Sequence, residues 1–217
     1  MGVELRKFCG DTRMADTVLG SSALAGKAAF YGVIACWWLF ALTFWLRKHP
    51  PRAREAKRDL RSYLGLGLQA LAYGMVWMGP MQHGSIFVPE RSPAWFAWAV
   101  TGATLVIAIA SVGLVNAAAR RLGKQWSLGA RVVEGHDLIQ DGPYRVVRNP
   151  IYTGMLGMLV ATGLAVDRWI PLSVAIVVFL IGTVIRVGIE ERLLRETFGQ
   201  QFDDYARRVP SLIPGVY

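Results

Sequence analysis

The sequence predicts an all-α integral membrane protein: a helical bundle of about five transmembrane helices with a C-terminal amphipathic helical extension. Three observations predict it. Hydrophobic residues fill 53% of the 217 positions and the mean hydropathy is +0.35, more than a soluble core of this size requires. The apolar residues are gathered into runs of bilayer length, for which a helix needs about 20 residues. The basic residues, which bring the formal charge to +9, sit at the ends of those runs, where they meet anionic headgroups and set topology.

The first span is expected at 28–46, "AAFYGVIACWWLFALTFWL". Nothing before Ala28 has the apolar core of a cleavable secretion signal, so this span reads as a retained membrane anchor. The second is expected at 63–81 and the third at 94–118, "AWFAWAVTGATLVIAIASVGLVNAA". The fourth and fifth, 151–166 and 169–186, are separated by Asp167 and Arg168 and read as a tight helical hairpin. Runs this short also occur as core helices of soluble proteins, but the polar pair between them is what a turn between spans requires. Gly157, Ala161 and Ala165 recur every fourth residue in the fourth span. That spacing lets a neighbouring helix approach closely, and a Gly/Ala-rich helix also produces it by chance. From Arg186 onward the apolar residues Ile189, Leu193, Leu194, Phe198, Phe202, Tyr205 and Val209 keep roughly helical spacing among charges, the pattern of an amphipathic surface helix. Gly199 is expected to divide it into two helices, and Pro210 and Pro214 to end the second.

The loops orient the bundle. Residues 47–61 carry seven Lys/Arg against two acids and residues 119–150 carry six Lys/Arg, whereas 82–93 has one Arg and one Glu. The positive-inside rule places 47–61, 119–150 and the C-terminal tail in the cytoplasm. The N-terminus then falls outside, against a mild basic bias of its own. The chain divides into a three-span region, 1–118, and a region of loop, hairpin and C-terminal helices, 119–217.

Several function classes lack support. No basic helix with stacking aromatics suggests nucleic acid. Cys9 and Cys36 have no ligand-like spacing, and His49, His83 and His136 are scattered without i, i+4 pairing, so no metal site is expected. Hydrolase, nucleotide-phosphate and zinc-protease motifs are absent.

Three polar clusters remain, all near the cytoplasmic ends of the last two spans. In "GPYRVVRNPIYTG", residues 142–154, Gly142-Pro143 and Asn149-Pro150 are turn signals, and Pro150 suits the first position of the fourth span. The helix mouth would offer free N–H groups to an anion, with Arg145 and Arg148 beside it; on spacing alone the same arginines read more readily as ordinary headgroup contacts. Arg186, Glu190 and Glu191 lie at the end of the fifth span, and Arg186 and Glu190, four apart, can meet on one helix face. Carboxylates there are costly unless paired or functional, and a solvated helix end with ordinary ion pairs is the plain alternative. The stretch 120–138 reads as a loop, with Trp126 an interfacial anchor and His136 a solvent-exposed residue.

Taken in order, "LIQDGPYRVVRNPIYTG", a hydrophobic hairpin and "RVGIEERLLRETFGQQFDDYARRVPSLIP" resemble the isoprenylcysteine carboxyl methyltransferase-like superfamily, which includes the phospholipid methyltransferases and many bacterial membrane relatives. The likeness covers residues 120–214. It implies methyl transfer dependent on S-adenosylmethionine, with S-adenosylhomocysteine as product, at the cytoplasmic face of what would be a bacterial inner membrane. It carries Gly142, Pro143, Tyr144, Arg145, Arg148, Asn149, Pro150, Tyr152, Gly154, Glu190 and Glu191 over as cofactor-binding, and Arg186 and Glu190 as catalytic. The family usually has His where this chain has Asn149, which puts any imidazole chemistry there in doubt.

The implied partners are membrane lipids and a lipophilic acceptor, of the isoprenylcysteine carboxylate type or a related thiol; a phospholipid amine or a non-catalytic descendant of the scaffold are the alternatives. Methyl transfer from a sulfonium is an in-line displacement that needs alignment and a dry site. A carboxylate or thiolate acceptor needs no strong base, whereas an amine must lose a proton.

Overall fold

The computed structural model describes residues 2–45, 55–58, 61–78, 93–123, 131–133 and 137–215. Six α-helices run through the described residues: α1 (Gly2–Trp45), α2 (Ser62–Trp77), α3 (Ala94–Leu122), α4 (Pro150–Ala165), α5 (Trp169–Phe198) and α6 (Gln200–Arg208). Each of the five expected spans is helical over its described residues to within one residue of the end; positions 46 and 79–81 lie outside them. Three helical stretches, Gly20–Trp45, α3 and α5, are long and apolar enough to cross a membrane, and α4 is a shorter apolar helix. Gly199, at φ +52°, closes α5 and opens α6, a positive-φ conformation that glycine adopts without strain. The α4–α5 turn places Asp167 at φ +51°, a backbone state that Asp tolerates better than most residues.

The structure adds one element to the expected bundle. Two short strands, β1 (Glu55–Arg58) and β2 (Arg131–Val133), pair antiparallel with Arg58 opposite Arg131. Runs of three or four residues carry no period-2 signal to read from sequence. Their pairing ties the basic segment 47–61 to the segment 119–150 at one end of the bundle.

Along α1, burial runs opposite to that of a soluble protein. The inner face of α1 is Ala25, Ala29, Val33 and Cys36, packed on Ala97, Ala108 and Val112 of α3 and on Met158, Ala161 and Ala165 of α4. Large residues point outward: Trp38 is 74% exposed and Trp45 81%. Small-inside, large-outside packing suits lipid, where backbones gain by close approach and big apolar side chains lose nothing by facing the solvent. Gly157 abuts the Ser111 side chain, and Ala161 and Ala165 are fully buried, so the four-residue stripe is used for helix contact. The hairpin helices α4 and α5 each pack more extensively on another partner, α4 on α3 and α5 on α2.

The α2–α5 seam depends on two glycines facing each other. A Cβ on Gly182 would stand 2.7 Å from the Gly65 carbonyl oxygen and 2.9 Å from Leu68 Cβ; one on Gly65 would stand 2.5 Å from the Gly182 carbonyl oxygen. Gly→Ala inside a helix normally stabilises by about 0.5–1 kcal/mol, but overpacking against backbone costs about 1–3 kcal/mol. Gly182→Ala is therefore expected to lower the thermal midpoint of the detergent-solubilised protein. Gly188→Ala, a position with nothing within 4 Å of the added carbon, should leave that midpoint unchanged or raise it.

Candidate active site

The stretch 142–149 folds as a tight turn leading into α4. Residues Gly142–Arg145 form a 3₁₀ turn, with Gly142 at φ +59° and Pro143 at its start. Tyr144 is buried, and its carbonyl accepts a 2.6 Å hydrogen bond from the Tyr205 hydroxyl of α6. Burial pushes the Tyr205 hydroxyl up to about 12, so it remains a proton donor at neutral pH. Arg121 at the end of α3 pairs with Asp141 at 2.7 Å. Around this turn lies a cleft of ≈ 660 Å³, lined by Asp141, Gly142, Arg145, Tyr205, Arg208 and Val209 among others. That volume falls in the range of about 300–1,000 Å³ usual for small-molecule sites.

Residues 148–153 hold the chain's C-terminal segment. The Arg148 and Asn149 backbone N–H groups donate to the carbonyls of Pro210 (2.9 Å) and Ser211 (3.0 Å). Thr153 Oγ1 donates to Leu212 O at 2.6 Å. The Arg148 guanidinium donates to Ala206 O at 2.7 Å and to Val209 O, and meets Glu191 Oε1 at 2.9 Å. Asn149 Nδ2 reaches Ser211 O at 3.2 Å and Glu191 Oε1 at 3.4 Å. Pro150 opens α4 at its first position. The segment 209–212 thus forms a strap across the mouth of α4, and Arg148 is its main fastening.

A second cluster lies one turn deeper, between α2, α4 and α5. Tyr152 Oη donates to Glu190 Oε1 at 2.6 Å. Arg186 Nη2 stands 3.6 Å from the same carboxylate oxygen, and its guanidinium carbon lies 5.3 Å from the centre of the Tyr152 ring, within cation–π range. On the α2 side, Arg186 Nη1 donates to Gln69 Oε1 at 3.5 Å, and Gln69 Nε2 donates to Thr183 Oγ1 at 2.9 Å. The Arg186 side chain is 5% exposed and that of Glu190 28%.

The candidate residues therefore fall into three neighbouring groups. Gly142 and Arg145 face the cleft, with Pro143 and Tyr144 shaping the turn. Arg148, Asn149 and Glu191 join the strap to α5. Tyr152, Arg186 and Glu190 form the deeper cluster. Gly154 belongs to helix packing, since a Cβ there would meet Val115 and come within 2.9 Å of the Ser111 carbonyl oxygen on α3. The sequence reading missed Gln69 and Thr183. A polar residue inside the apolar run 63–81 was the available signal for Gln69, because intramembrane polar groups are costly without a partner. The three histidines, Trp126 and the loop at 82–92 lie outside the described residues.

The described helices form an apolar bundle that gathers arginines, carboxylates and tyrosines at one end, beside a cleft of small-molecule size. The family model for phospholipid methyltransferase matches residues 98–201. Protein-S-isoprenylcysteine O-methyltransferase B of Arabidopsis thaliana is 37% identical over 84 residues, 38% of this chain and 42% of that protein. A probable protein-S-isoprenylcysteine O-methyltransferase of Oryza sativa subsp. indica is 30% identical over 134 residues, 60% of this chain and 68% of that protein. The nickel-cobalt-cadmium resistance protein NccN of Alcaligenes xylosoxydans xylosoxydans is 27% identical over 110 residues, covering about half of each chain. The matched stretch spans less than half of the Arabidopsis protein and about two thirds of the rice one. This chain belongs to the isoprenylcysteine carboxyl methyltransferase-like and phospholipid methyltransferase superfamily of integral-membrane methyltransferases.

Proposed function

We propose that the protein transfers a methyl group from S-adenosylmethionine to a lipophilic acceptor, of the isoprenylcysteine carboxylate type or a related thiol, at the cytoplasmic membrane face. The observation that carries this is the cluster Tyr152–Glu190–Arg186, set where the apolar part of α5 gives way to charge. A water-soluble donor and a membrane-borne acceptor can meet only at such a boundary. The basic segments 47–61 and 119–150, joined through β1 and β2, support the cytoplasmic assignment of this end.

The chain's own donor set suits the cofactor. Arg145 and Arg208 at the cleft match a carboxylate, and Glu190 and Glu191 match an ammonium or ribose hydroxyls. Arg148 contributes through the strap that carries Val209 and follows Tyr205, both walls of the cleft. Bound there, the cofactor supplies an activated methyl group on sulfur. Arg186, charged and held against the Tyr152 ring, orients an anionic acceptor by its guanidinium. Buried apolar walls from α2, α4 and α5 exclude water from competing as nucleophile.

Calorimetry on detergent-purified protein tests the reading. S-adenosylhomocysteine should bind, and Glu190→Gln should weaken binding at least about tenfold, roughly 1.4 kcal/mol. No detectable binding by the unaltered protein removes the enzyme reading and leaves a non-catalytic scaffold. A labelled-methyl assay over prenylated cysteine, small thiols and phosphatidylethanolamine then assigns the acceptor; label confined to the amine lipid would replace the carboxylate or thiol acceptor with a phospholipid.

A further inference from the structure

We propose that Gln69 of α2 is a positioning residue for Arg186, so that the seam between α2 and α5 sets the geometry of methyl transfer. The proposal rests on Arg186 standing at the reacting centre. It goes beyond the family likeness, because α2 lies outside the matched residues 98–201.

Gln69 is 1% exposed, Thr183 0% and Arg186 4%. A primary amide in an apolar interior is costly unless its groups are bonded, and here both ends have partners. Nε2 donates to Thr183 Oγ1 at 2.9 Å, and that hydroxyl can serve either end of an amide. Arg186 carries only donors, so the amide oxygen is the end turned towards Nη1, at 3.5 Å; the opposite orientation would set N–H against N–H. The Arg186 stem is also confined, since a Cβ on Gly65 would stand 2.5 Å from Arg186 Cγ.

One guanidinium is consequently addressed from three helices. Gln69 of α2 approaches from one side, Glu190 of α5 stands at 3.6 Å, and the Tyr152 ring of α4 lies alongside. An amide oxygen orients a guanidinium without cancelling its charge. A carboxylate at position 69 would add a second anion beside Glu190 and leave less positive potential for an anionic acceptor. A neutral partner on the α2 side therefore fits an arginine whose charge is reserved for the acceptor.

The test combines turnover with coupling. Gln69→Leu should lower kcat about tenfold, because small displacements of an aligning group are costly in an in-line displacement. Its S-adenosylhomocysteine Kd should stay within about threefold of the unaltered protein. Gln69→Asn, a neutral amide, should recover part of the loss. Thr183→Val removes the hydroxyl that holds the amide nitrogen and should repeat the kcat effect, serving also where Gln69→Leu does not fold. In parallel, thermal midpoints of Gln69→Leu, Arg186→Met and the double variant should be non-additive, as for residues in contact. Unchanged kcat in Gln69→Leu or Thr183→Val, equal losses of kcat and cofactor affinity, or additive midpoint shifts each overturn the positioning role. If the unaltered protein fails to bind S-adenosylhomocysteine while the coupling persists, the functional reading falls and the contact stands. Additive shifts in a protein that does bind it take down this proposal alone.

Discussion

Arg186→Met is expected to lower methyl transfer at least about a hundredfold, the scale of losing an aligned charged group at the reacting centre. Methionine keeps most of the stem's apolar volume, so the α2–α5 seam should remain closed around Gly65. What disappears is the cation 3.6 Å from Glu190 and alongside the Tyr152 ring. Glu190 then keeps the Tyr152 hydroxyl as a donor but lacks its ion-pair partner, and an anionic acceptor meets a carboxylate without the compensating charge. Arg186→Lys restores charge but not the planar fork that reaches Gln69 and Glu190 together, so it should recover only part of the rate. Single-turnover transfer of labelled methyl from preloaded protein is the measurement. A rate within about threefold of the unaltered protein would show that Arg186 is a structural cation and that the reacting centre lies elsewhere.

The helices and the Arg186–Glu190 pair were legible in the sequence because they rest on short-range regularities. Apolar run length gave the spans, Asp167-Arg168 gave the hairpin turn, Gly199 gave the break before α6, and i, i+4 spacing paired Arg186 with Glu190. The boundary of the apolar part of α5 placed that pair at one end of the bundle. Contacts that join distant segments had no such signal. Gln69 and Thr183 are 114 positions apart, and only the approach of Gly65 to Gly182 brings their side chains together. The strap was illegible for a related reason. Arg148 looks like a headgroup or anion-binding arginine from its neighbours in sequence, yet most of its hydrogen-bonding capacity is spent within the chain, on Glu191 and on carbonyls about 60 positions away. Asn149 carries a similar lesson. Where the family usually has His, the amide bonds Ser211 and Glu191, a joining role that needs donors but no titrating imidazole.

The second large effect is expected from Arg148→Ala, acting through the strap rather than by direct contact with a ligand. The guanidinium is nearly buried, 14% exposed, as is its partner Glu191 at 16%. Its removal leaves the Ala206 and Val209 carbonyls without that donor and Glu191 without its cation. Losing one side of such a charged network costs about 3 kcal/mol, more than the remaining neutral bonds from Asn149 and Thr153 can each supply. The strap should detach while α4 and α5 stay packed, because their apolar clusters, Leu159, Val166, Leu172 and Phe179 among them, do not involve residue 148. Limited trypsin digestion reads this directly: cleavage after Arg207 or Arg208, slow when Val209 and Pro210 are buried, should become fast in Arg148→Ala. The affinity for S-adenosylhomocysteine should fall at least about tenfold in the same variant, since Val209 and Tyr205 line the cleft and depend on the strap for their place. Asn149→Ala, which loses only contacts of 3.2–3.4 Å, should show both effects in weaker form. Protection from trypsin together with unchanged affinity in Arg148→Ala would mean that the strap is held by its backbone bonds alone, and that the arginine serves the surface instead.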